Sequence, residues 1–361
     1  MFNGKYILPK VTKRANRLIY FLLLAVILFS LSSCVIFPKS KTIEYSGNKL
    51  KGVNETNDAQ ALKIITWNLG YSGLGKEEDF FADGGKSIRV SDKQLAEKYA
   101  KSIVKFLSES SQEDVSVFLL QEAAFPSFSN RGVNLTSKIV ESLPEYSAIY
   151  DNEYRIRLPF GMGTNTGLLL LSKANDDDEF EVLSLPSGKS KINLGRHFPL
   201  QILVTNLGEH QVAIFNIHLS AFDKEAKTRR LQLNRIFEIA EAQLAMGRHI
   251  IIGGDFNLTF KSAFDPYTSK SEDIDWIFPL NPNDLPIGFR PVFYPEIPTF
   301  RTLDKPYVAG ENLSAILDGY IVSENIFVCE ITTSNFGFRA SDHNPVMLKL
   351  IIEDTQNGAI C

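Results

Sequence analysis

The apolar positions of this chain gather into short continuous runs, and most runs end abruptly on a polar side chain. "LKIITWN" (Leu62 to Asn68) and "VSVFLLQE" (Val115 to Glu122) show the pattern, and "HIIIGGDFN" (His249 to Asn257) repeats it. Runs this short, rich in Ile, Val and Leu, predict strands buried on both faces. "TGLLLLS" with "FEVLSL", and "LQILVTN" with "HQVAIFNIHL", predict two hairpins, and "LDGYIVS", "FVCEITT" and "NPVMLKLII" predict further strands. From about Lys224 to Met246 the period changes. Leu233, Ile236, Phe237, Ala240 and Leu244 share one helical face, with Asp223 as N-cap and Gly247 as stop. Strand pairs interleaved with helices across Leu62 to Glu353 predict one α/β domain of two packed, mixed sheets flanked by helices.

Composition supports a large core: 361 residues, 44% hydrophobic and 22% charged. The net charge of −4 hides an asymmetry. The first 33 residues hold five bases and no acid, which leaves 33 bases against 42 acids, a net −9, in the remainder. An acidic body disfavours non-specific attraction to nucleic acid, although a local basic groove remains compatible with it.

The N-terminal segment reads as an address. A basic head precedes the uncharged "LIYFLLLAVILFSLSSC", Leu18 to Cys34, as in a secretory signal. Its end, Leu31-Ser32-Ser33-Cys34, resembles the bacterial lipobox, in which the cysteine becomes the lipidated N-terminus. An uncleaved membrane helix is the alternative, since the apolar run from Leu18 to Phe37 holds 20 residues. Both readings expect the body outside the cytoplasm, held to a membrane, with residues 34–61 as a flexible polar tether and 354–361 as a short tail. Cys329 and Cys361, the two remaining cysteines, are read as free thiols.

The polar residues at the ends of the runs carry the chemistry. Asn68, Glu122, His218, Asp255, Asn257, Asp318, Asp342 and His343 each stand at the rim of an apolar element. Any one of them reads as a turn residue. Eight together, all of types that bind hard cations or phosphate, read as a site.

The ordered set Trp67-Asn68, Gln121-Glu122, "NIHL" ending at Leu219, "GGDFN" ending at Asn257, "LDGY" ending at Tyr320 and "SDHNP" ending at Pro345 resembles the endonuclease/exonuclease/phosphatase superfamily. That resemblance implies a four-layered α/β sandwich and a metal-dependent hydrolase of phosphate esters. It implies Glu122, Asn68 and Asp342 as ligands of magnesium, with manganese as the alternative ion. It further implies Asp255 as the base that activates water, Asn257 as an amide donor, and His343, oriented by Asp318, as a donor to phosphate, with His218 assisting the leaving oxygen. The expected partner is a phosphodiester of nucleic acid or of a lipid headgroup, bound by a monomer. Inositol-phosphate monoesters, or binding without catalysis, are the alternatives. The long segment Gly70 to Ser91 departs from the nuclease pattern. Its "DGGK" turn places Lys86 as a candidate phosphate contact or as plain surface loop, whereas Arg131, Arg155, Arg157 and Arg301 read as surface residues.

Overall fold

The computed structural model describes residues 41–48, 61–157, 162–173, 175, 177–187, 195–260 and 276–352. In chain order the first half contains β1 (Thr42–Tyr45), β2 (Ala61–Asn68), helix α1 (Lys93–Gln112), β3 (Val117–Ala124), helix α2 (Leu135–Ser142), β4 (Tyr146–Arg157) and β5 (Gly163–Lys173). Then follow β6 (Glu179–Ser184), β7 (Pro199–Leu207), β8 (His210–His218), helix α3 (Lys227–Ala245) and β9 (His249–Asp255). The last third holds β10 (Leu258–Thr259), β11 (Phe278–Pro279), β12 (Phe289–Val292), β13 (Phe300–Arg301), β14 (Ser314–Ala315), β15 (Asp318–Ser323), β16 (Ile326–Thr333) and β17 (Val346–Ile352).

Two large sheets result. One has the order β1-β4-β5-β3-β2-β17-β16, the other β12-β15-β9-β8-β7-β6; β10 pairs with β11 and β13 with β14. Only β2–β3 and β8–β9 run parallel within the large sheets, and each of these pairs is joined through a helix, as a parallel crossover requires. Between the sheets lie Ile64, Leu119, Ile149 and Leu170 from the first and Leu203, Ile214, Ile251 and Val322 from the second. Trp67, Phe118, Leu120 and Leu169 face the other way, against Tyr99, Ile103 and Leu107 of α1 and Ile139 of α2. Phe215, Ile250 and Ile252 pack on Leu233, Ile236, Phe237 and Ala240 of α3. The four-layered sandwich is therefore built as the apolar pattern predicts.

The helix face is as expected, but the helix begins at Lys227 with Ala226 at its N-cap rather than Asp223, whose carboxylate, four residues before the helix, instead accepts from the Thr228 amide at 2.6 Å. Gly247 ends the helix with a φ of 87°, a conformation open to glycine.

Two parts of the prediction are corrected. "TGLLLLS" and "FEVLSL" do not form a hairpin: β5 pairs with β4 and β3, while β6 pairs with β7 in the opposite sheet. Strand β5 is central and buried on both faces, whereas β6 alternates along an edge, so neighbours in sequence belong to different layers. The tether is not flexible throughout. Thr42–Tyr45 extends the first sheet beside β4, because Ile43 and Tyr45 alternate onto the apolar face of that sheet.

Cys329 is disulfide-bonded rather than a free thiol. The apolar segment Leu18 to Cys34, residues 35–40 and 49–60 of the tether and the tail 354–361 lie outside the described residues. Among the described residues no helix is long and apolar enough to cross a membrane.

Candidate active site

Strand register brings the polar rim residues together. His218 at the end of β8 pairs with Asp255 at the end of β9, and Asp255 pairs with Asp318 at the start of β15. In-register neighbours on adjacent strands stand about 5 Å apart, so three functional side chains share one sheet edge. In the first sheet Asn68 pairs with Gln121, the residue before Glu122. The β3–β5 register shifts between Leu120 and Ala123, and Glu122 takes a φ of 52°. This bulge turns the carboxylate out of the ladder. Asp342 and His343 arrive on the approach to β17, whose first residue pairs with Thr66 of β2.

The sheets are bolted together beneath the site. Gln121 donates to Asn216 Oδ1 at 2.8 Å, and Asn216 donates to Gln201 Oε1 at 2.9 Å. Tyr320 donates from the second sheet to the carbonyls of Ile64 and Val346 in the first. Buried amides linked in this way fix the two edges relative to each other, although the Gln121 side-chain oxygen itself is left without a partner.

Asp255 is the focus. Its Oδ2 accepts from Asn68 Nδ2 at 3.0 Å and lies 3.5 Å from His218 Nε2 and 3.7 Å from His343 Nε2. Its Oδ1 accepts from the Asn257 amide at 2.9 Å. Asn257 has a φ of 49°; its side-chain amide donates to the Leu219 carbonyl, and its own carbonyl accepts from buried Arg229, which pairs with Asp223 at 2.7 Å.

Each imidazole is held from behind by a carboxylate. His343 Nδ1 lies 2.7 Å from Asp318 Oδ2, and His218 Nδ1 lies 2.9 Å from Glu153 Oε2. Burial disfavours charge on His343, but Asp318 and Asp255 outweigh it and push the imidazolium up to about 10. Burial raises Asp318 to about 6, so the pair stands as an ion pair at neutral pH. His218 is raised as well, with Glu153 overcoming the cost of burial. Glu153 itself, despite burial, is drawn down to about 2 by Arg196 and His218.

The sequence reading missed Glu153 and Arg196. Arg196 donates to Glu153 through two nitrogens, and one of them lies 3.4 Å from His218 Nε2. A usable signal was present in β4, where Asp151, Asn152 and Glu153 are consecutive and all buried, beside a register shift. Three consecutive polar residues buried in mid-strand need buried partners.

The donor set fits a hard divalent cation. Glu122 Oε2 is buried and has no hydrogen-bond partner, and burial together with the charge of Asp342 lifts its carboxyl to about 7. Beside it Asn68 Oδ1 accepts only from the Gly70 amide, at 3.1 Å, and Asp342 Oδ1 accepts from Ser341, whose hydroxyl also donates to the Asn68 carbonyl. Two carboxylates and an amide oxygen held in this way suit a hard divalent cation. Asp255, Asp318 and His343 also have one donor atom each within 4.8 Å of one another. The 2.7 Å ion pair uses Asp318 Oδ2 and His343 Nδ1, which leaves the buried, unpartnered Asp318 Oδ1 and the His343 Nε2 beside Asp255, so this trio keeps donor atoms of its own for a cation.

Other expectations change. Gly253 and Gly254, which precede Asp255 in an apolar run and would fit close approach of substrate to the backbone, do not serve that end. A Cβ at Gly254 would meet the Ile217 carbonyl at 2.0 Å, and one at Gly253 would meet Leu119 and Tyr320 at 2.7 Å, so the glycines serve close packing between strands and sheets. Arg301 is no surface residue. It is fully buried and donates to the carbonyls of Gly75 (2.8 Å), Leu74 and Glu78, pinning the 70–91 segment beside the site. Asp83 of the "DGGK" turn accepts from the Leu303 amide, while Lys86 is exposed.

No family model and no curated relative matches the chain. Solved structures do. An endonuclease/exonuclease/phosphatase protein from Beutenbergia cavernae superposes with a TM-score of 0.54 at 15% identity, covering 81% of this chain and 72% of that one. The fold is that of the endonuclease/exonuclease/phosphatase proteins. A second such protein, from Bacteroides vulgatus, has a TM-score of 0.51 at 15% identity and covers 81% of this chain and 99% of its own. Truncated TDP2 from Caenorhabditis elegans gives 0.51 at 15%, over 81% and 98%. At these identities the likeness establishes the architecture, and the chemistry rests on the site itself.

Proposed function

We propose that the chain is a metal-dependent phosphoesterase that cleaves phosphodiester bonds by in-line attack of water. One observation carries the reading: groups from both sheets, Asn68, His218 and His343, converge on the single oxygen Asp255 Oδ2. Asp255, steadied by Asn68 and the Asn257 amide, takes a proton from water placed between it and phosphorus. The two imidazoliums donate through Nε2 to non-bridging oxygens and to the leaving oxygen, and their carboxylate partners keep each Nδ1 protonated. The positive φ of Asn257 directs its backbone N–H at Asp255 Oδ1, while its side-chain amide is held by the Leu219 carbonyl. A magnesium or manganese ion held by Glu122, Asn68 and Asp342 would supply charge neutralisation at the phosphate. Arg196, about one-sixth exposed, adds a cation at the edge of the phosphate position.

The membrane address belongs to the same proposal. A lipidated Cys34, or the apolar segment retained as a helix, would hold the body at an extracytoplasmic surface within reach of nucleic acid or lipid headgroups. Palmitate labelling that disappears in Cys34→Ala supports the lipid form.

A substrate panel tests the activity: single- and double-stranded DNA, RNA, sphingomyelin and inositol phosphates, each with magnesium and with EDTA. Magnesium-dependent release of product from a diester is expected. Full activity in Glu122→Gln or His343→Ala would refute the mechanism, and turnover confined to inositol monoesters would replace diesterase by phosphatase.

A further inference from the structure

A second feature lies beside this site and plays no part in it. The loop that leaves β3 after Ala124, the end of the 70–91 segment and the first residue of α1 border an open surface cleft of about 560 Å³, lined by Arg89, Lys93, Arg131, Phe128 and Pro126 among others. No carboxylate lines it. In a body that carries nine more acids than bases, three cations around one cleft are a local reversal of charge. The Arg89 guanidinium lies 4.3 Å from the centre of the Phe128 ring.

The cleft is built, not incidental. Asn130 is fully buried; it donates to the carbonyls of Phe125 and Val133 and accepts from the amides of Ser127 and Gly132. Arg131 donates to the carbonyls of Val90 and Ser91, and the Val90 amide donates to Ser129, so the two walls are locked together. Both walls start at the active-site edge, one after Asn68 and one after Glu122. Pro126 lies four residues beyond Glu122, within about 14 Å of chain reach.

We propose that this cleft is an accessory subsite for single-stranded nucleic acid, holding a phosphate and an unstacked base a short distance from the bond being cleaved. The inference rests on the phosphodiesterase reading for its position relative to the chemistry. Guanidinium and ammonium groups beside an aromatic ring match the stacking-plus-phosphate recognition of single strands. A cleft whose wall begins within four residues of Glu122, and which shares no lining residue with the Asp255 centre, favours an extended polyanion that engages both over a headgroup with one phosphate.

The test is anisotropy of a fluorescent oligothymidylate of roughly ten nucleotides, long enough to fill one such site. The detergent-solubilised full chain is titrated in EDTA, so that binding is read without turnover. Phe128→Ala should weaken binding by about tenfold, the scale of one lost base stack. Arg89→Gln should lower the slope of log affinity against log salt by about 0.7, one phosphate contact on a single strand. Both variants should hydrolyse bis(p-nitrophenyl) phosphate, which is too small to reach the cleft, at the wild-type rate. Wild-type oligonucleotide affinity and salt slope in both variants would overturn the subsite. So would vesicles of acidic phospholipid that bind through Arg89 and Phe128 while the oligonucleotide does not, which would assign the cleft to a lipid surface. Cleft-dependent oligonucleotide binding without hydrolysis of any diester would uphold the subsite and defeat only the catalytic reading.

Discussion

Glu153 and His218 are 65 positions apart in the chain, yet Glu153 Oε2 sits 2.9 Å from His218 Nδ1. Asp318 stands in the same relation to His343 at 2.7 Å, so the site contains two carboxylate–imidazole pairs aimed from opposite sides at Asp255. If Glu153 serves to charge and orient His218, then Glu153→Gln removes the charge and keeps the shape. The expected result is a fall of about 10- to 100-fold in kcat, the usual cost of losing an orienting partner, with little change in KM. NMR titration should show the His218 imidazolium losing its elevation in the variant. Unchanged titration of His218 would mean that Glu153 serves only to hold Arg196.

Glu122 presents a conflict between stability and function. It adopts a positive φ of 52° and buries an oxygen without a partner. Both features cost the metal-free protein, the backbone alone by about 1–3 kcal/mol. Glu122→Gly should therefore leave the metal-free fold at least as stable in urea, although it abolishes metal-dependent turnover. A marked loss of stability in the glycine variant would show that the carboxylate is held by something other than a cation.

The same carboxyl predicts how the metal's effect varies with pH. Its folded-state pKa is raised from 4.5 to about 7. Below about 4.5 it is neutral in both states; between there and about 7 the unfolded chain ionises first, so stability of the metal-free protein declines as pH rises through that window. A bound cation reverses the preference by favouring the carboxylate. Magnesium should therefore raise the melting temperature more at pH 8 than at pH 6 in differential scanning calorimetry. His343 changes in the same sense, over a higher window. Raised to about 10, it contributes stability that is complete below its ordinary value of 6.5 and is lost as pH rises through 10.

How far the sequence disclosed this arrangement depended on how each residue reaches the site. Asn68, Asp255 and His218 end unbroken apolar runs, and a run that stops on a ligand-type side chain is visible in one dimension. Glu153 lies inside β4, where no run ends, and its partner Arg196 comes from a segment that pairs with β4 only through an isolated bridge at Tyr154. That relationship exists only in the folded register. Arg301 was misjudged because arginines are usually exposed; here backbone carbonyls of the 70–91 segment replace water around the guanidinium. The two glycines before Asp255 were legible as close approach, but not as to which atoms approach. Ile217, Leu119 and Tyr320 are assigned to them by the stacking of two sheets, which no local pattern encodes. The β5–β6 crossover was hidden for a similar reason, since a polar turn between apolar strands looks the same whether it returns to its own sheet or passes to the next.

Arg229 shows the cost of holding Asn257 in place. It is fully buried, donates through Nε to the Asp223 carboxylate at 2.7 Å and through Nη2 to the Asp223 carbonyl at 3.0 Å, and donates through Nη1 to the carbonyl of Asn257. Removing the guanidinium leaves the Asp223 carboxylate enclosed without its counter-charge and frees the backbone that holds Asn257 at positive φ. Arg229→Ala should destabilise the fold by about 3–5 kcal/mol, the scale of a broken buried ion pair. Urea unfolding read by tryptophan fluorescence measures it. The double variant Asp223→Ala/Arg229→Met, with no buried charge remaining, should recover much of that stability. Turnover should not recover with it, because nothing then fixes the Asn257 carbonyl. If the double variant regains both, Arg229 acts on the fold alone and the Asn257 backbone holds its conformation without it.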